Sequence, residues 1–210
     1  MADNSPGRSV PYERRPEVRE LHNSIGLYMT VFSELASLMR RSIHEFLAPT
    51  GEEFPPPNRL LDVMFANMTA KPLADSFYSM AREVGNLEAT DVAIKNRLRR
   101  ETQQHISFRN DLAHAEWSIG WENAETGGAI PPSSVRIKSV DGVPRLKDMG
   151  ITTSDLYRAV RYLRVHIDQV RFVARTCRDR QRGNRDPRLA DQLALVQEKG
   201  RSWVTGFGAE

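Results

Sequence analysis

The sequence predicts an all-α domain, a bundle of four to five helices, with a small β-ribbon inserted late in the chain. Apolar residues recur at three- and four-residue steps over long segments, and clusters of Pro and Gly separate those segments. Between residues 117 and 150 the helical spacing gives way to short β-type pieces. The 210 residues slightly exceed the roughly 100 to 200 of one typical domain, so we expect one domain with loose ends.

The first element is a long amphipathic helix. Residues 1–16 are polar and contain three prolines, so we interpret them as a disordered arm. Helical spacing then relates the apolar residues Val18, Leu21, Ile25, Tyr28, Phe32, Leu35, Leu38, Met39, Ile43 and Phe46. The helix should end at Pro49, because Pro55, Pro56 and Pro57 prevent it from resuming.

Three further helical segments follow before the ribbon. Short helices fit residues 59–67 and 72–84, with Thr69 as a candidate cap and Gly85-Asn86 as the end of the second. Another helix should begin near Asp91. Its apolar residues are Val92, Ile94, Leu98, Ile106 and Leu112.

The predicted ribbon, at about residues 117–150, contains strands at 118–121 and 135–140 and a turn at Asp141-Gly142. Thr153 or Ser154 should cap the last long helix, which completes a helical domain at residues 17–180. The apolar residues of that helix are Leu156, Val160, Leu163, Ile167, Val170 and Val173. Residues 181–210 are interpreted as a basic linker and a tail with a short helix around residues 189–196.

Composition restricts the environment and the partners. Cys177 is the single cysteine, so no internal disulfide can form, and no Cys/His spacing resembles a zinc site. The N-terminus has no apolar core of a signal peptide, and no stretch reaches the roughly 18 apolar residues of a membrane span. We therefore expect a cytoplasmic protein without membrane contact. A net charge of +3 allows a polyanionic partner but does not require one.

The segment Arg109-Asn110-Asp111-Leu112-Ala113-His114 is the candidate chemical site. Asn110 and His114 are four residues apart, so they share a helix face and Asn110 can orient the imidazole. Arg109 and His114 are five apart and diverge by about 140° around an ideal helix. They can act on one phosphate only if the helix frays or if two chains meet, and a two-chain site is the more economical solution.

These residue types suit RNA cleavage. A histidine titrates near neutral pH and can move a proton, and an arginine presents a planar set of donors to phosphate oxygens. The substrate 2′-hydroxyl would be the nucleophile. His114 would assist its deprotonation or protonate the leaving oxygen, and Arg109 would stabilise the phosphorane. No metal ion or other cofactor is expected.

Arg109 to His114 resembles the R-x(4-6)-H motif of HEPN domains, in which a polar residue follows the Arg near the end of a late helix. The segments Phe32-Ser33-Glu34-Leu35 and Asn67 to Leu73 are also similar to prokaryotic members. The resemblance covers the helical parts between about residues 18 and 178. The ribbon is longer than a minimal bundle of this family needs.

The resemblance implies a bundle of four or five helices, usually a homodimer in which the two motifs face each other. Many such proteins are metal-independent endoribonucleases that act as toxins or in antiviral defence, and a toxin can have an antitoxin as its partner. Other family members are catalytically silent or bind nucleotides.

Three more charged residues are candidate substrate contacts. Arg175 and Arg178 belong to an arginine-rich helix end that suits a phosphate backbone, although a solvated helix end is the simpler explanation. Glu116 could orient Arg109 across the helix end. In a purely structural alternative, Arg109 bridges Glu116 or Asp111, and His114 stabilises the helix C-terminus.

The aromatic residues and the other histidines have simpler explanations. Trp117 and Trp121 could stack on unpaired bases, but they more often fill a junction such as the one between ribbon and bundle. His105 could extend the site, but a helix-surface imidazole bonded to a neighbour is the simpler interpretation.

Two functional hypotheses follow. The first is a homodimeric endoribonuclease that cleaves single-stranded RNA through Arg109, Asn110 and His114. The second is a non-catalytic module that binds a nucleotide, RNA or a partner protein in the same place. A purely structural helical protein is the third interpretation.

Overall fold

The computed structural model describes residues 15–47, 63–65, 68–85, 89–118, 133–140 and 143–183. In chain order, the elements with defined bounds are α1 (Pro16–Leu47), α2 (Ala70–Gly85), α3 (Ala89–Ala113), β1 (Glu116–Ser118), β2 (Ser133–Val140), β3 (Val143–Asp148) and α4 (Thr153–Gln181). Residues 63–65 are also helical. The predicted fold class, a mostly helical chain with a small β-ribbon, is confirmed.

Helix α1 packs against α2 and α4 and is the longest helix described, with 32 residues. The apolar spacing that predicted it also identifies its buried face. That face consists of Val18, Leu21, Ser24, Tyr28, Val31, Phe32, Leu35, Met39, Ser42, Ile43 and Phe46. Burial of this continuous face, at about 25 cal/mol per Å² of apolar surface, stabilises the helix against the rest of the bundle.

Helix α2 begins slightly earlier than the sequence indicated. Its first residue is Ala70 rather than Pro72, and Pro72 lies in the first turn, where its missing N–H breaks no helical hydrogen bond. The Leu73 amide donates to the Thr69 carbonyl at 3.2 Å. Of the helix predicted at residues 59–67, residues 63–65 are helical and the others lie outside the described residues.

Helix α4 is capped one residue before the predicted cap. Thr152, not Thr153 or Ser154, is the N-cap, because only Thr152 has an acidic residue three positions later. The Asp155 amide donates to Thr152 Oγ1 at 3.2 Å, and the Thr152 amide donates to Asp155 Oδ2 at 3.1 Å. Gly150, whose φ is 53°, adopts the left-handed conformation where the chain leaves β3 for this helix.

The three strands form an antiparallel sheet in the order β1-β2-β3. Glu116 pairs with Val135, and Val140 pairs with Val143. The first strand was predicted at residues 118–121, but it begins at Glu116, three residues after α3 ends at Ala113. The reason is packing: Trp117 contacts the core of the bundle, and its Nε1 donates to the Leu112 carbonyl at 3.5 Å.

Several predictions lie outside the described residues: most of the arm at 1–16, Trp121, the turn at Asp141-Gly142 and the helix at 189–196. Cys177 is buried, and its Sγ lies 3.4 Å from the Ala81 carbonyl oxygen. Within the described ranges, no helix has the length and apolar character needed to cross a membrane.

Candidate functional site

A half-open groove of about 730 Å³ lies between α1, the start of α2 and the end of α3. This volume is within the range of small-molecule sites, about 300 to 1,000 Å³. The described residues that line it are Met29, Phe32, Ser33, Ala36, Ser37, Arg40, Met68, Thr69, Ala70, Lys71, Ile106, Arg109, Asn110 and His114. The groove therefore contains all three residues that the sequence assigned to catalysis.

One wall of the groove is a stripe along α1. From Met29 to Arg40 the lining residues follow each other at alternating steps of three and one, so that every second one is four residues on, which is the spacing of a single helix face. The stripe is about 16 Å long, because each helical residue rises by about 1.5 Å. The face beside this stripe is buried against α2 and α4, so the bundle fixes the direction in which the stripe points.

The opposite wall comes from the end of α3. Arg109 and His114 diverge by about 140° on an ideal helix, and for this reason the sequence favoured a two-chain site. In the structure both residues line the same groove of one chain. They lie on opposite edges of a wide face whose middle is formed by Ile106 and Asn110. The helix ends at Ala113, and His114 follows in a turn that still bonds to the Asn110 carbonyl at 3.1 Å.

The Asn110 side chain contacts Arg109. Arg109 Nη1 donates to Asn110 Oδ1 at 3.2 Å, while the bond between Asn110 and His114 uses main-chain atoms. The sequence predicted that the Asn110 amide orients the imidazole of His114. In the structure, Asn110 Oδ1 accepts from the Arg109 guanidinium and limits the positions open to it.

The groove is strongly basic, although the chain as a whole is almost balanced, with 30 Lys and Arg residues against 27 Asp and Glu residues. Three fixed positive charges line the groove, on Arg40, Lys71 and Arg109, together with the imidazole of His114. No carboxylate is found among the described lining residues. A concave surface with one sign of charge attracts ligands of the opposite sign, so this groove suits an anion such as a phosphate group.

Sequence reasoning missed Arg40 and Lys71. Arg40 ends a stripe of small and apolar residues at helical spacing, and Lys71 precedes a proline in a first helical turn. Both of these sequence positions, a basic residue at the end of an amphipathic stripe and a basic residue in a first helical turn, can be identified from the sequence. However, only the packing of α1, α2 and α3 shows that these residues share a groove with Arg109.

The structure does not bring Arg175, Arg178 or Glu116 to the groove. The Arg175 side chain is 75% exposed, and its Nε lies 3.8 Å from Asp179 Oδ2. Arg178 Nη1 donates to Glu45 Oε2 at 3.3 Å, which ties the end of α4 to the end of α1. Glu116 is exposed on strand β1.

His105 belongs to the core, not to the helix surface that the sequence predicted. It is 2% exposed, and its Nδ1 is 3.1 Å from the Tyr28 hydroxyl. Its ring centroid lies 5.3 Å from that of His166. Burial, and to a smaller extent electrostatic repulsion from the neighbouring His166, hold the pKa of His105 well below its usual value. His105 is therefore neutral at pH 7.

A chain of hydrogen bonds continues from His166 through the core. Thr102 Oγ1 is 2.7 Å from His166 Nε2 and 2.8 Å from the Tyr78 hydroxyl. His166 Nδ1 lies 3.3 Å from Glu101 Oε2. Burial also raises the pKa of both Tyr28 and Tyr78, so these phenols remain protonated. We call His105, His166, Tyr28, Tyr78 and Thr102 the buried polar cluster.

In the part of the chain that the structure describes, no three His, Cys, Asp or Glu side chains lie close enough together to hold a metal ion. Comparison of the chain with protein-family models, with curated protein sequences and with solved structures finds no match.

Proposed function

We propose that the chain is a HEPN-like, metal-independent endoribonuclease that cleaves single-stranded RNA in the basic groove. The observation that carries this proposal is the presence of Arg109 and His114 in one groove, beside two more fixed positive charges and without a lining carboxylate among the described residues. A histidine and an arginine at one anionic ligand are the groups that phosphodiester transfer needs. A role in toxicity or antiviral defence, in the cytoplasm, belongs to the same proposal.

In the proposed reaction, the 2′-oxygen of the substrate attacks the adjacent phosphorus and the bond to the 5′-oxygen breaks. The products are a 2′,3′-cyclic phosphate and a free 5′-hydroxyl. His114 either accepts the proton of the 2′-hydroxyl or donates one to the leaving 5′-oxygen. Arg109 donates hydrogen bonds to the phosphorane oxygens, and Asn110 restricts the guanidinium through the 3.2 Å contact.

One imidazole serves only one of the two proton transfers at a time. A homodimer in which two grooves meet would supply a second His114 for the other transfer, so we keep the homodimer within the proposal. Light scattering during size-exclusion chromatography measures the mass in solution directly. A mass of 23.9 kDa at micromolar concentration would limit the mechanism to a single chain.

The test is incubation of purified protein with end-labelled single-stranded RNA in excess EDTA, with fragment ends identified by mass. We expect cyclic-phosphate ends from the parent, and a rate about 100- to 10,000-fold lower for His114→Ala. Arg109→Ala should be slower by about 100- to 1,000-fold. His22→Ala, which changes an exposed histidine of α1 outside the groove, is the matched control. Equal cleavage by His114→Ala, folded as judged by circular dichroism, would refute this mechanism.

One observation favours a non-catalytic alternative, a module that binds RNA, a nucleotide or an acidic partner protein such as an antitoxin. Three of the four basic groups in the groove are Arg or Lys side chains, whose fixed positive charge suits the binding of an anion without any proton transfer. Binding of intact RNA without any fragment, lost on Arg109→Gln in a filter assay, would establish this alternative in place of the enzyme.

A further inference from the structure

Arg40 lies in the groove with unused hydrogen-bonding capacity. Its Nη2 donates to the Phe65 carbonyl at 3.5 Å, a long contact that holds the guanidinium near the start of α2. Its Nε is buried and has no hydrogen-bond partner among the described residues. An arginine has five N–H donors, and a buried donor without a partner costs free energy, so a bound anion would satisfy a group that the bundle leaves open.

The start of α2 adds positive potential beside Arg40. Met68, Thr69, Ala70 and Lys71 line the groove, and Met68 N bonds to the Phe65 carbonyl. The first helical hydrogen bond of α2 is donated by Leu73, so the amides of Ala70 and Lys71 precede the helical ladder. The helix dipole favours an anion here, and the Lys71 ammonium adds a full charge.

The length of the groove exceeds that of one nucleotide. The α1 stripe extends for about 16 Å from Met29 to Arg40. Stacked nucleotides of one strand follow each other at about 3.4 Å along the helix axis. A single phosphate at Arg109 and His114 would therefore leave part of the basic lining unused.

We propose that Arg40, Lys71 and the first turn of α2 bind a second phosphate, so that one chain holds single-stranded RNA through two successive phosphates. The phosphate at Arg109 and His114 is the one that reacts, and the phosphate at Arg40 and Lys71 determines where the strand lies. This inference rests on the proposed function for the identity of the ligand. It requires no second copy of the chain.

The experiment uses a uridine dinucleotide whose internal 2′-hydroxyl is methylated, so that the nucleophile is blocked and only binding is measured. Calorimetry compares this ligand with the same dinucleotide carrying a terminal phosphate, at the 5′-end or at the 3′-end. We expect one phosphorylated form to bind about tenfold more tightly than the unphosphorylated form, because the added contact is charge-assisted.

The variants separate the two phosphates. Arg40→Gln and Lys71→Gln should each reduce the ratio of the two dissociation constants toward one. Arg109→Gln should weaken both ligands and preserve the ratio. Arg164→Gln removes the same charge from an exposed position of α4 outside the groove, so it should change neither quantity. Lys71 is exposed, so its variant remains informative even if Arg40→Gln disturbs the contact with Phe65.

Salt dependence gives a second measurement. Loss of one phosphate contact to a single strand reduces the slope of log K against log salt by about 0.7, and we expect this change for Lys71→Gln with the phosphorylated ligand. If the parent cleaves RNA but the terminal phosphate adds no affinity, the second subsite is wrong and the proposed function stands. If the parent cleaves nothing, but its preference for the phosphorylated dinucleotide depends on Arg40 and Lys71, the second subsite stands and the proposed nuclease activity is wrong. If the parent cleaves nothing and neither dinucleotide binds, both are wrong.

Discussion

His105 lies in the second half of α3, and His114 lies nine residues later in the turn that follows this helix, but the fold gives them opposite environments. His105 is 2% exposed and contacts the Tyr28 hydroxyl, while His114 is exposed at the edge of the basic groove. A proton can reach His114 from solvent, whereas burial lowers the pKa of His105 and keeps it neutral. One histidine can therefore exchange protons with a ligand, and the other can only stabilise the bundle.

The two regions are physically connected through α1 and α3. Tyr28 of the buried polar cluster directly precedes Met29 of the groove wall, and His105 directly precedes Ile106. The cluster thus holds the two helices that form the opposite walls. A rigid cluster should fix the width of the groove. Substitutions in the buried polar cluster should therefore change the stability of the fold, and substitutions in the groove should change the binding and chemistry of the ligand.

The largest expected difference is in stability. His105→Ala removes the hydrogen bond with Tyr28 and leaves a cavity, and we expect it to lower the free energy of unfolding by about 2 to 4 kcal/mol. His114→Ala changes an exposed turn and should alter it by less than about 0.5 kcal/mol. Urea denaturation of both variants measures the two values. Equal losses would mean that His114 is as structural as His105.

The second difference is in pH dependence. An unfolded histidine has a pKa of about 6.5, and the pKa of His105 in the folded chain is lower. Above about pH 7, His105 is neutral in both the folded and the unfolded chain, so its contribution to the free energy of unfolding is fully present. As the pH falls below about 6.5, the unfolded chain binds the proton first, so the free energy of unfolding decreases by up to about 1.4 kcal/mol per pH unit.

The measurement is the free energy of unfolding between about pH 7 and pH 5, a window that lies above the ordinary pKa of most carboxyl groups. His105→Gln should reduce this slope, and His22→Gln, which changes an exposed histidine of α1, should retain it. An unchanged slope in His105→Gln would show that His105 is not responsible for the decrease.

The sequence predicted the buried faces better than the groove. Tyr28, Leu35, Met39 and Ile43 follow a periodicity that lies within one helix, so their burial can be inferred without knowledge of any partner. The cap of α4 was misplaced by one residue among three adjacent hydroxyl residues, although Asp155 identifies Thr152 once the reciprocal pair is considered.

The groove depends on contacts that no single segment contains. Arg40, Lys71 and Arg109 come from three helices, and their spacing along the chain gives no sign that they meet. An ideal helix separates Arg109 and His114 by about 140°, but both residues line one groove of a single chain. The groove wall formed by the end of α3 spans the arc between the Arg109 and His114 side chains. Because α3 ends at Ala113, His114 lies in the turn that follows.

The smallest expected effect concerns the arginine-rich end of α4. Arg175 is 75% exposed and lies outside the groove, so Arg175→Gln should change the affinity for single-stranded RNA by less than about twofold and stability by less than about 0.5 kcal/mol. Filter binding beside Arg109→Gln, which removes the same charge inside the groove, gives the comparison. A loss as large as that of Arg109→Gln would place the end of α4 in the RNA-binding surface, as the charge pattern of the sequence first indicated. The groove would then be one part of a longer track for the strand, because each neutralised phosphate adds to salt-dependent affinity.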